Sequence, residues 1–253
     1  MKFGIDGVNK NIKSGLIGVG GVNKNLKEVY VGIGGVNKLV WSAFVAVDRL
    51  YFTDNHADKN YELNINTIAV IKTVSTPSDF PYAIGGIAGR LYYGNDELDK
   101  NHELNINTLA SINTGNSPTG SPSGIGGISN RLYHCSISYN WNYELNANTL
   151  AVLKTVSSPG TFASGIGGIS DRLYHCDNAT GKNYELNIDT LAVLKTVSSI
   201  GPDPTGIGGI NNRLYHCDGR FPLTNHELNI NTLASINTGT APSYGSQGIG
   251  GVK

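Results

Sequence analysis

Three dipeptides, each a histidine followed by a cysteine, contain the side chains of this sequence that most resemble metal ligands. His134-Cys135, His175-Cys176 and His216-Cys217 recur at an interval of 41 residues. Neighbouring residues of a β-strand point to opposite faces, so one pair cannot place both of its side chains on one ion. The equivalent positions of two further copies hold Phe52-Thr53 and Tyr93-Gly94. We therefore predict that the histidines occupy a site for flat side chains, that the cysteines occupy a site for small ones, and that no metal is bound.

Five glutamates at one repeat position are the candidates for acid and base chemistry. They are Glu62, Glu103, Glu144, Glu185 and Glu227. Catalysis by paired carboxylates requires two acids in different environments, whereas five equivalent positions imply five similar environments. We expect these glutamates to be structural, and we expect neither catalytic residues nor a cofactor.

The elements that carry these residues are five copies of a 41-residue unit. Each copy begins with Arg-Leu-Tyr, at Arg49, Arg90, Arg131, Arg172 and Arg213. The fourth copy contains four short apolar segments, at residues 172–177, 183–188, 191–197 and 206–210, separated by Asn, Asp, Gly, Ser and Pro. This alternation indicates strands joined by turns. A period near 40 with four strands per unit predicts an all-β protein with a five-bladed β-propeller.

The Gly-Ile-Gly-Gly segment of each copy is predicted to be the innermost strand, because strands that converge on the axis leave little room for side chains. A phosphate-binding loop would need a helix after it, and no helix is predicted there. The last such segment, residues 248–253, has no outer strands after it. We expect it to complete the first blade beside residues 49–53 and to remove two exposed strand edges. Residues 44–47 have the equivalent spacing, but their bulk fits an axial strand poorly.

Residues that differ between copies are concentrated in two loops per blade. In an antiparallel blade, the loop between the second and third strands and the connection to the next blade lie on the same side of the disc. The opposite side carries nearly uniform turns such as Asn66-Thr67. Exposed aromatic, amide and charged side chains on a rigid scaffold favour ligand recognition; the alternative is that these loops are merely solvated. The predicted binding residues are His56, Asp58, Phe80, Tyr82, Asp96, Tyr139, Trp141, Phe162, Asp177, Arg220, Phe221 and Tyr244.

Aromatic rings stacked on sugar rings, with polar side chains bonded to hydroxyls, would suit a carbohydrate ligand. The sequence leaves open whether these loops form one site or five weak ones that act together through avidity.

The composition argues against nucleic acids and membranes as partners. Nineteen basic and nineteen acidic residues in 253 cancel, so a basic nucleic-acid-binding surface is not expected. No stretch approaches the roughly 20 apolar residues that cross a bilayer, and the first seven residues lack the apolar core of a secretory signal.

Residues 1–48 are predicted to be a small β unit separate from the propeller of residues 49–253. Gly-Val-Asn-Lys recurs there at Gly7, Gly21 and Gly35, with strands expected at residues 16–20 and 29–33 between Gly-Asn turns. Six lysines and three acidic residues make the unit basic. It is too small to bury much core by itself, so it is expected to pack on the propeller, self-associate or dock into a larger assembly, and docking is favoured.

The Gly-Val-Asn-Lys units, together with residues 30–36 and the closing Leu39-Val40-Trp41, resemble short repeats in tail-module proteins of bacteriophages and prophages of Gram-positive bacteria. The blades resemble Tyr-Val-Thr-Asn-type (YVTN) and quinoprotein-like propeller repeats in their Arg-Leu-Tyr and Tyr-Glu-Leu-Asn-x-x-Thr-Leu stretches. That second resemblance implies a fold but no activity, and no quinone-binding or hydrolase residue of those families can be placed here.

The N-terminal resemblance implies a virion protein that is assembled in the bacterial cytoplasm and released by lysis. Such a protein would be present in several copies and would attach to other tail proteins through residues 1–48. Its propeller would then present a recognition face to a host-surface glycan, without enzymatic activity. One alternative is a structural or decoration module that contacts other virion proteins. A glycoside hydrolase ranks last, because it would need unrepeated buried carboxylates on axial strands that carry Gly and Ile.

Overall fold

The computed structural model describes residues 2–5, 8–11, 16–19, 22–25, 28–33 and 36–42 as backbone strands, residues 48–220 and 222–241 in full, and residues 246–252 with side chains from Gly248 onward. The chain divides into two compact units, Met1–Val47 and Asp48–Lys253. All regular elements of the described residues are strands. No helix in this part of the chain is long and apolar enough to cross a membrane.

The first unit contains three antiparallel hairpins. They pair β1 (Lys2–Ile5) with β2 (Val8–Asn11), β3 (Leu16–Val19) with β4 (Val22–Asn25), and β5 (Glu28–Ile33) with β6 (Val36–Ser42). The strands expected at residues 16–20 and 29–33 correspond to β3 and β5, but the expected Gly-Asn turns were wrong, because Val-Asn-Lys begins the second strand of each hairpin. In the first hairpin, Val8 pairs with Ile5 across the two strands, and β-branched residues favour strands over turns.

The second unit consists of five antiparallel four-stranded sheets, which confirms the predicted five-bladed β-propeller. In each sheet the Gly-rich strand pairs with the Arg-Leu-Tyr strand, which pairs with the third strand, and the fourth strand is outermost. Blade 1 contains β26 (Ser246–Val252), β7 (Arg49–Asp54), β8 (Lys59–Leu63) and β9 (Val70–Ser75); blade 2 contains β10 (Pro81–Ile87), β11 (Arg90–Asn95), β12 (Lys100–Leu104) and β13 (Ser111–Asn116); blade 3 contains β14 (Pro122–Ile128), β15 (Arg131–Ser136), β16 (Trp141–Leu145) and β17 (Val152–Ser157); blade 4 contains β18 (Ala163–Ile169), β19 (Arg172–Asp177), β20 (Lys182–Leu186) and β21 (Val193–Ser198); blade 5 contains β22 (Pro204–Ile210), β23 (Arg213–Asp218), β24 (Thr224–Leu228) and β25 (Ser235–Thr240).

Blade 1 is built from both ends of the propeller unit. Strand β26 pairs with β7, with Ile249 opposite Phe52 and Val252 opposite Arg49. The predicted closure by the last Gly-rich strand is therefore confirmed. The competing segment, residues 44–47, lies outside the described residues. Because its innermost strand comes from the opposite end of the propeller unit, the ring is closed non-covalently by the pairing of β26 with β7 within blade 1.

The innermost strands approach one another too closely for side chains at every second position. A Cβ atom on Gly85 would lie 2.2 Å from the carbonyl oxygen of Ile125 in the next blade, and one on Gly208 would lie 2.4 Å from that of Ile249. Such distances are well inside van der Waals contact and involve backbone that cannot move aside. Glycine at these positions is thus required by the convergence of the blades, as predicted.

A buried tyrosine links each blade to the next. The hydroxyl of Tyr51 donates a hydrogen bond to the Ile106 carbonyl at 3.0 Å, in the turn between the third and fourth strands of the neighbouring blade. The other four blades repeat this bond, through Tyr92 to Ala147, Tyr133 to Ile188, Tyr174 to Ile230 and Tyr215 to Ile65. The last of them closes the ring from blade 5 to blade 1. These bonds satisfy a buried phenol and a turn carbonyl together.

The repeated arginine and glutamate form a second set of links on the same side of the disc. Arg90 donates from Nε and Nη2 to both carboxylate oxygens of Glu103, at 2.7 and 2.6 Å, and from Nη1 to Asn148 of the next blade at 2.7 Å. Arg131 makes the equivalent bonds to Glu144 and Asp189. The two parallel bonds orient each guanidinium toward the next blade. Four of the five repeated glutamates form such bidentate pairs, which is the structural role expected of them, whereas Glu62 lies 3.6 Å from Arg49 without a hydrogen bond to it.

Deletion of residues 246–253 should lower the Tm of the propeller by roughly 10 °C or more, or prevent folding. The truncation removes the inner strand of blade 1 and exposes the fully buried Leu50, Tyr51 and Phe52 of β7. Thermal unfolding followed by circular dichroism measures the change. A synthetic peptide of residues 246–253, added in excess, should restore stability, whereas a scrambled peptide should not. An unchanged Tm in the truncated protein would contradict the closure described above.

Candidate functional site

On the loop side of the disc, the backbone around the axis repeats while its side chains do not. The residue that follows the second strand of a blade donates its N–H to a carbonyl in the connection that enters that blade. Asp96 bonds in this way to Phe80 at 3.2 Å, and Asn178 bonds to Phe162 at 3.0 Å. The same bonds join Ile137 to Ser121 and Gly219 to Asp203. Equivalent backbone positions therefore present acid, amide, aliphatic and aromatic groups toward one central space.

That space is a cavity of about 370 Å³. Its volume falls within the roughly 300–1,000 Å³ that is typical of small-molecule sites. Four blades contribute to its wall. The described lining residues are Tyr82, Asp96, Ser123, Ile137, Phe162, Ser164, Asn178, Asp203, Thr205 and Gly219. Two aromatic rings, two carboxylates, an amide and three aliphatic hydroxyls thus meet in one place, with no basic side chain among these described residues.

The floor of the cavity is held by hydroxyl groups at the start of the inner strands. Ser123 donates through Oγ to the Ala163 carbonyl at 2.6 Å, and Ser164 donates to the Pro204 carbonyl at 2.6 Å. Each bond joins one blade to the next. Thr205 occupies the equivalent position of blade 5 and is only 7% exposed, but its hydroxyl oxygen has no hydrogen-bond partner in the described part of the chain. Two hydroxyls of the floor therefore join neighbouring blades, and the third has no partner among the described residues.

The two carboxylates of the cavity come from blades 2 and 5. Asp96 follows β11, while Asp203 lies in the connection before β22, and both side chains are partly exposed. The Asn178 amide donates to Oδ1 of Asp203, which fixes this carboxylate against the loop of blade 4. Oδ2 of Asp203 makes no hydrogen bond within the described residues. At least one acidic oxygen is therefore held in place and still available to a ligand.

The cavity does not continue through the disc. Below the cavity, the inner strands leave a space of only about 10 Å³ along the axis, which is lined by glycines and isoleucines such as Gly126, Ile166 and Gly208. A separate hollow of about 200 Å³ opens on the opposite side, where Ile87, Ile128, Ile169 and Ile210 recur with the blades. A ligand that enters from the loop side therefore meets a closed floor.

Three of the residues predicted from the sequence line this cavity: Tyr82, Asp96 and Phe162. Asp177 is fully buried, and its carboxylate accepts bonds from the N–H groups of Phe162 and Thr180 and from the Thr180 hydroxyl, so it organises the loops of its own blade. Asp58 likewise accepts a bond from the N–H of Phe80 at 3.0 Å. Phe221 and Tyr244 lie outside the described residues. The remaining predicted residues lie on the loop side but not in the cavity lining, with Trp141 at the start of β16 and the others on loops: His56, Asp58, Phe80, Tyr139, Trp141 and Arg220.

Sequence reasoning missed five polar residues of the cavity. Ser123, Ser164 and Thr205 occupy the position of Tyr82 in the next three copies, 41 residues apart. Asn178 occupies the position of Asp96 two copies later, and Asp203 occupies that of Phe162 one copy later. The 41-residue repeat could have identified these residues. Once one cavity residue is known, the residues at the same position of the other copies are candidates for the same lining.

The outer rim carries a different surface feature. The fourth strand of every blade exposes one large aliphatic side chain by 61–62%. A single exposed leucine or isoleucine is ordinary, but here the same position is exposed in all five blades. The five residues are Ile71, Ile112, Leu153, Leu194 and Ile236.

The three His-Cys pairs lie inside the blades and not at the cavity. His134, Cys135 and their equivalents are fully buried, and the cysteines are free thiols. The ring of His175 packs against Tyr184 with centroids 5.9 Å apart, and Phe52 packs against Tyr61 at 5.8 Å in blade 1. The site thus accepts either ring type, as predicted. No group of three or more His, Cys, Asp or Glu residues in the described part of the chain could hold a metal ion.

Burial makes these histidines hard to protonate. Desolvation lowers the pKa of His134 to about 3, of His175 to about 4 and of His216 to about 3. Nε2 of His175 bonds to the Ser158 hydroxyl at 3.1 Å, while its Nδ1 has no hydrogen-bond partner among the residues that the structure describes. The folded protein therefore keeps these rings neutral through most of the acidic range.

Comparison with known proteins supports the fold and nothing further. No family model and no curated protein matches the sequence. Among solved structures, glutaminyl cyclase of Myxococcus xanthus is similar at 12% identity over 69% of this chain and 82% of that chain, with a TM-score of 0.58. A chain of a nidogen/laminin complex is similar at 10% identity over 82% of this chain and 99% of that chain, with a TM-score of 0.60. At such identities the likeness is one of fold alone.

The substitution His175→Phe should make the protein more resistant to acid. An unfolded histidine binds a proton below about pH 6.5, whereas folded His175 does so only near pH 4, so the wild-type protein loses stability as the pH falls between these values. Between pH 7.5 and pH 5 this one residue should account for about 2 kcal/mol of lost unfolding free energy. Urea titrations at both pH values measure the difference, which should shrink by that amount in the variant.

The substitution His56→Phe provides the control, because His56 is exposed on a loop. It should leave the pH dependence of stability as in the wild type. Equal pH dependence in the wild-type and His175→Phe proteins would show that burial of the imidazole does not govern acid stability.

Proposed function

We propose that this protein is a non-enzymatic binding module and that the cavity on its loop side binds carbohydrate. One observation carries the proposal: aromatic, carboxylate, amide and hydroxyl groups of four blades line a single cavity of about 370 Å³. An aromatic face packs on the apolar C–H surface of a sugar ring, while carboxylate and amide groups bond to its hydroxyls. Phe162 is suited to the first task because its ring is 43% exposed beside the cavity.

The same cavity favours one axial site over five separate ones. Its lining combines residues of blades 2 to 5, and no single blade supplies both of the aromatic residues or both of the carboxylates. The hydroxyl floor joins adjacent blades, so the wall is preorganised before a ligand arrives. Binding to a polymeric glycan would then gain avidity only if several copies of the protein are held together.

We further propose, from the resemblance of residues 1–48 alone, that the protein acts within a bacteriophage particle. In this setting the first unit attaches to other tail proteins, and the propeller faces the host surface. The basic composition of residues 1–48 suits an acidic partner surface. Immunogold labelling of intact particles is the direct test, and antibody bound only to free protein would count against this setting.

Glycoside hydrolysis remains a second candidate because two unrepeated carboxylates, Asp96 and Asp203, line the cavity. Hydrolases of this kind use two acids roughly 5–10 Å apart, one of which is kept protonated by burial. Here both acids lie on loops and are partly exposed, not on the axial strands. This arrangement favours hydrogen bonding to ligand hydroxyls over proton transfer.

A decoration module is the third candidate, and the rim supports it. Five exposed aliphatic residues at equivalent positions, such as Ile71 and Leu153, provide apolar contact points around the disc. Contacts at the rim would leave the cavity on the loop side free, so this function is compatible with carbohydrate binding.

The substitution Phe162→Ala should weaken saccharide binding by roughly tenfold or more, because it removes the stacking face of the cavity. An array of bacterial surface polysaccharides identifies the ligand, and titration calorimetry measures the affinity. Tyr139→Ala is the matched control: Tyr139 is an aromatic residue on the same side of the disc, 58% exposed, but outside the cavity lining.

Equal losses of affinity in the two variants would contradict a single axial site, and an array without any bound saccharide would contradict the proposed function. The same samples are assayed for reducing ends. Release of sugar by the wild type that is lost in Asp203→Asn would establish the hydrolase in place of the binding module.

A further inference from the structure

We infer that the carbohydrate bound in the cavity carries a protonated amino group, as an amino sugar without an N-acetyl substituent does. The inference rests on the proposed function and narrows it to a class of ligand. It is drawn from the charges of the cavity, the distribution of charge between the two sides of the disc, and the aromatic side chains beside the carboxylates.

The charge of the cavity is negative and uncompensated within the described lining. Asp96 and Asp203 contribute two carboxylates, and no Lys, Arg or His lines the space. The Asn178 amide neutralises neither acid, because a neutral donor orients a carboxylate without removing its charge. A ligand with a positive group therefore gains an attraction that a neutral sugar lacks, and a ligand with a carboxylate or phosphate is repelled.

The loop side as a whole is acidic, while the turn side is nearly neutral. Nine acidic residues lie on the loop side: Asp54, Asp58, Asp79, Asp96, Glu97, Asp99, Asp177, Asp203 and Asp218. Only four basic residues accompany them: Lys59, Lys100, Lys182 and Arg220. On the turn side, five arginines and three lysines stand against eight acids, and four of the five glutamates there are hydrogen-bonded to arginines. The field of the protein thus attracts cations to the side that contains the cavity.

Two of the four bases on the loop side do not reduce this field at the cavity. Lys59 and Lys100 are the first residues of the third strands of blades 1 and 2, so two strands separate them from the axis. They donate hydrogen bonds to Ser75 and Asn116 of the outermost strands. Both ammonium groups are therefore directed toward the rim. The cavity remains a site where carboxylates lack a nearby cation from the described lining.

The aromatic and hydroxyl groups of the lining suit an ammonium ligand equally well. Tyr82 and Phe162 lie in the same wall as the two acids, and an aromatic face attracts a cation through its quadrupole. Buried Thr205 adds a hydroxyl oxygen that has no partner among the described residues and can accept a bond from an N–H or an O–H of the ligand. An amino sugar could use all three kinds of group in the lining. Its ring would pack against an aromatic residue, its amino group would lie between the carboxylates, and a hydroxyl of the sugar would bond to Thr205.

The decisive experiment compares three probes by titration calorimetry on the full chain: a glucosamine tetrasaccharide, its N-acetylated counterpart, and the diamine cadaverine. The glucosamine form should bind at least about tenfold more tightly than the acetylated form at low salt, and this preference should shrink in 0.5 M salt because the attraction is screened. Asp203→Asn and Asp96→Asn should each reduce the preference. The control Glu97→Gln, an exposed acid outside the lining, should preserve it.

The outcomes separate the inference from the function on which it rests. Equal or tighter binding of the acetylated sugar, or a preference that persists in the Asp96→Asn/Asp203→Asn double variant, overturns the amino-sugar inference and leaves carbohydrate binding intact. Binding of cadaverine as tight as that of the glucosamine tetrasaccharide supports a cation site and overturns carbohydrate recognition. Binding of neither sugar nor diamine overturns both.

Discussion

The propeller depends on the bond between a buried tyrosine of one blade and a turn carbonyl of the next. Five such bonds run around the ring at 2.8–3.1 Å, and each comes from the Arg-Leu-Tyr segment of its copy. The adjacent arginine reinforces the same junction by reaching a turn side chain of the following blade, as Arg90 does with Asn148. Because these bonds use up the polar groups of the turn side, residues on that side are constrained by neighbouring blades and vary little. The loop side has inter-blade bonds at its floor, such as that from Ser123 to Ala163, and its outer loops are free to diverge.

A symmetric scaffold with asymmetric side chains produces a site that none of its units contains. The backbone bond from Asp96 to Phe80 recurs from Asn178 to Phe162, so the loops of different blades hold the same positions around the axis. What differs is the chemistry at each position. Glycines close the axis beneath the loops, since a Cβ atom there would strike the next blade. A closed floor and a varied wall together make a cavity suited to one ligand and unsuited to passage through the disc.

The likeness to a glutaminyl cyclase and to a chain of a nidogen/laminin complex illustrates how little the propeller fold says about activity. Identities of 12% and 10% leave no basis for transferring a residue from either protein. The charge and geometry of the cavity are therefore the features of this protein that bear on its function. Two carboxylates and two aromatic rings without a basic lining residue distinguish this site from one built for phosphate or other anions.

The sequence by itself determined the strands, the number of blades, the closure by the last Gly-rich segment and the structural character of Glu103 and its equivalents, because each of these follows from a pattern that repeats every 41 residues. It misplaced the turns of the first unit, where Asn9 lies in a strand opposite Gly4 and not in a turn. Only the tertiary structure decided which loop residues meet. Asp177 and Asp203 look equally available in the sequence, yet one is buried under backbone N–H groups and the other lines the cavity, because distance from the axis depends on how five blades pack.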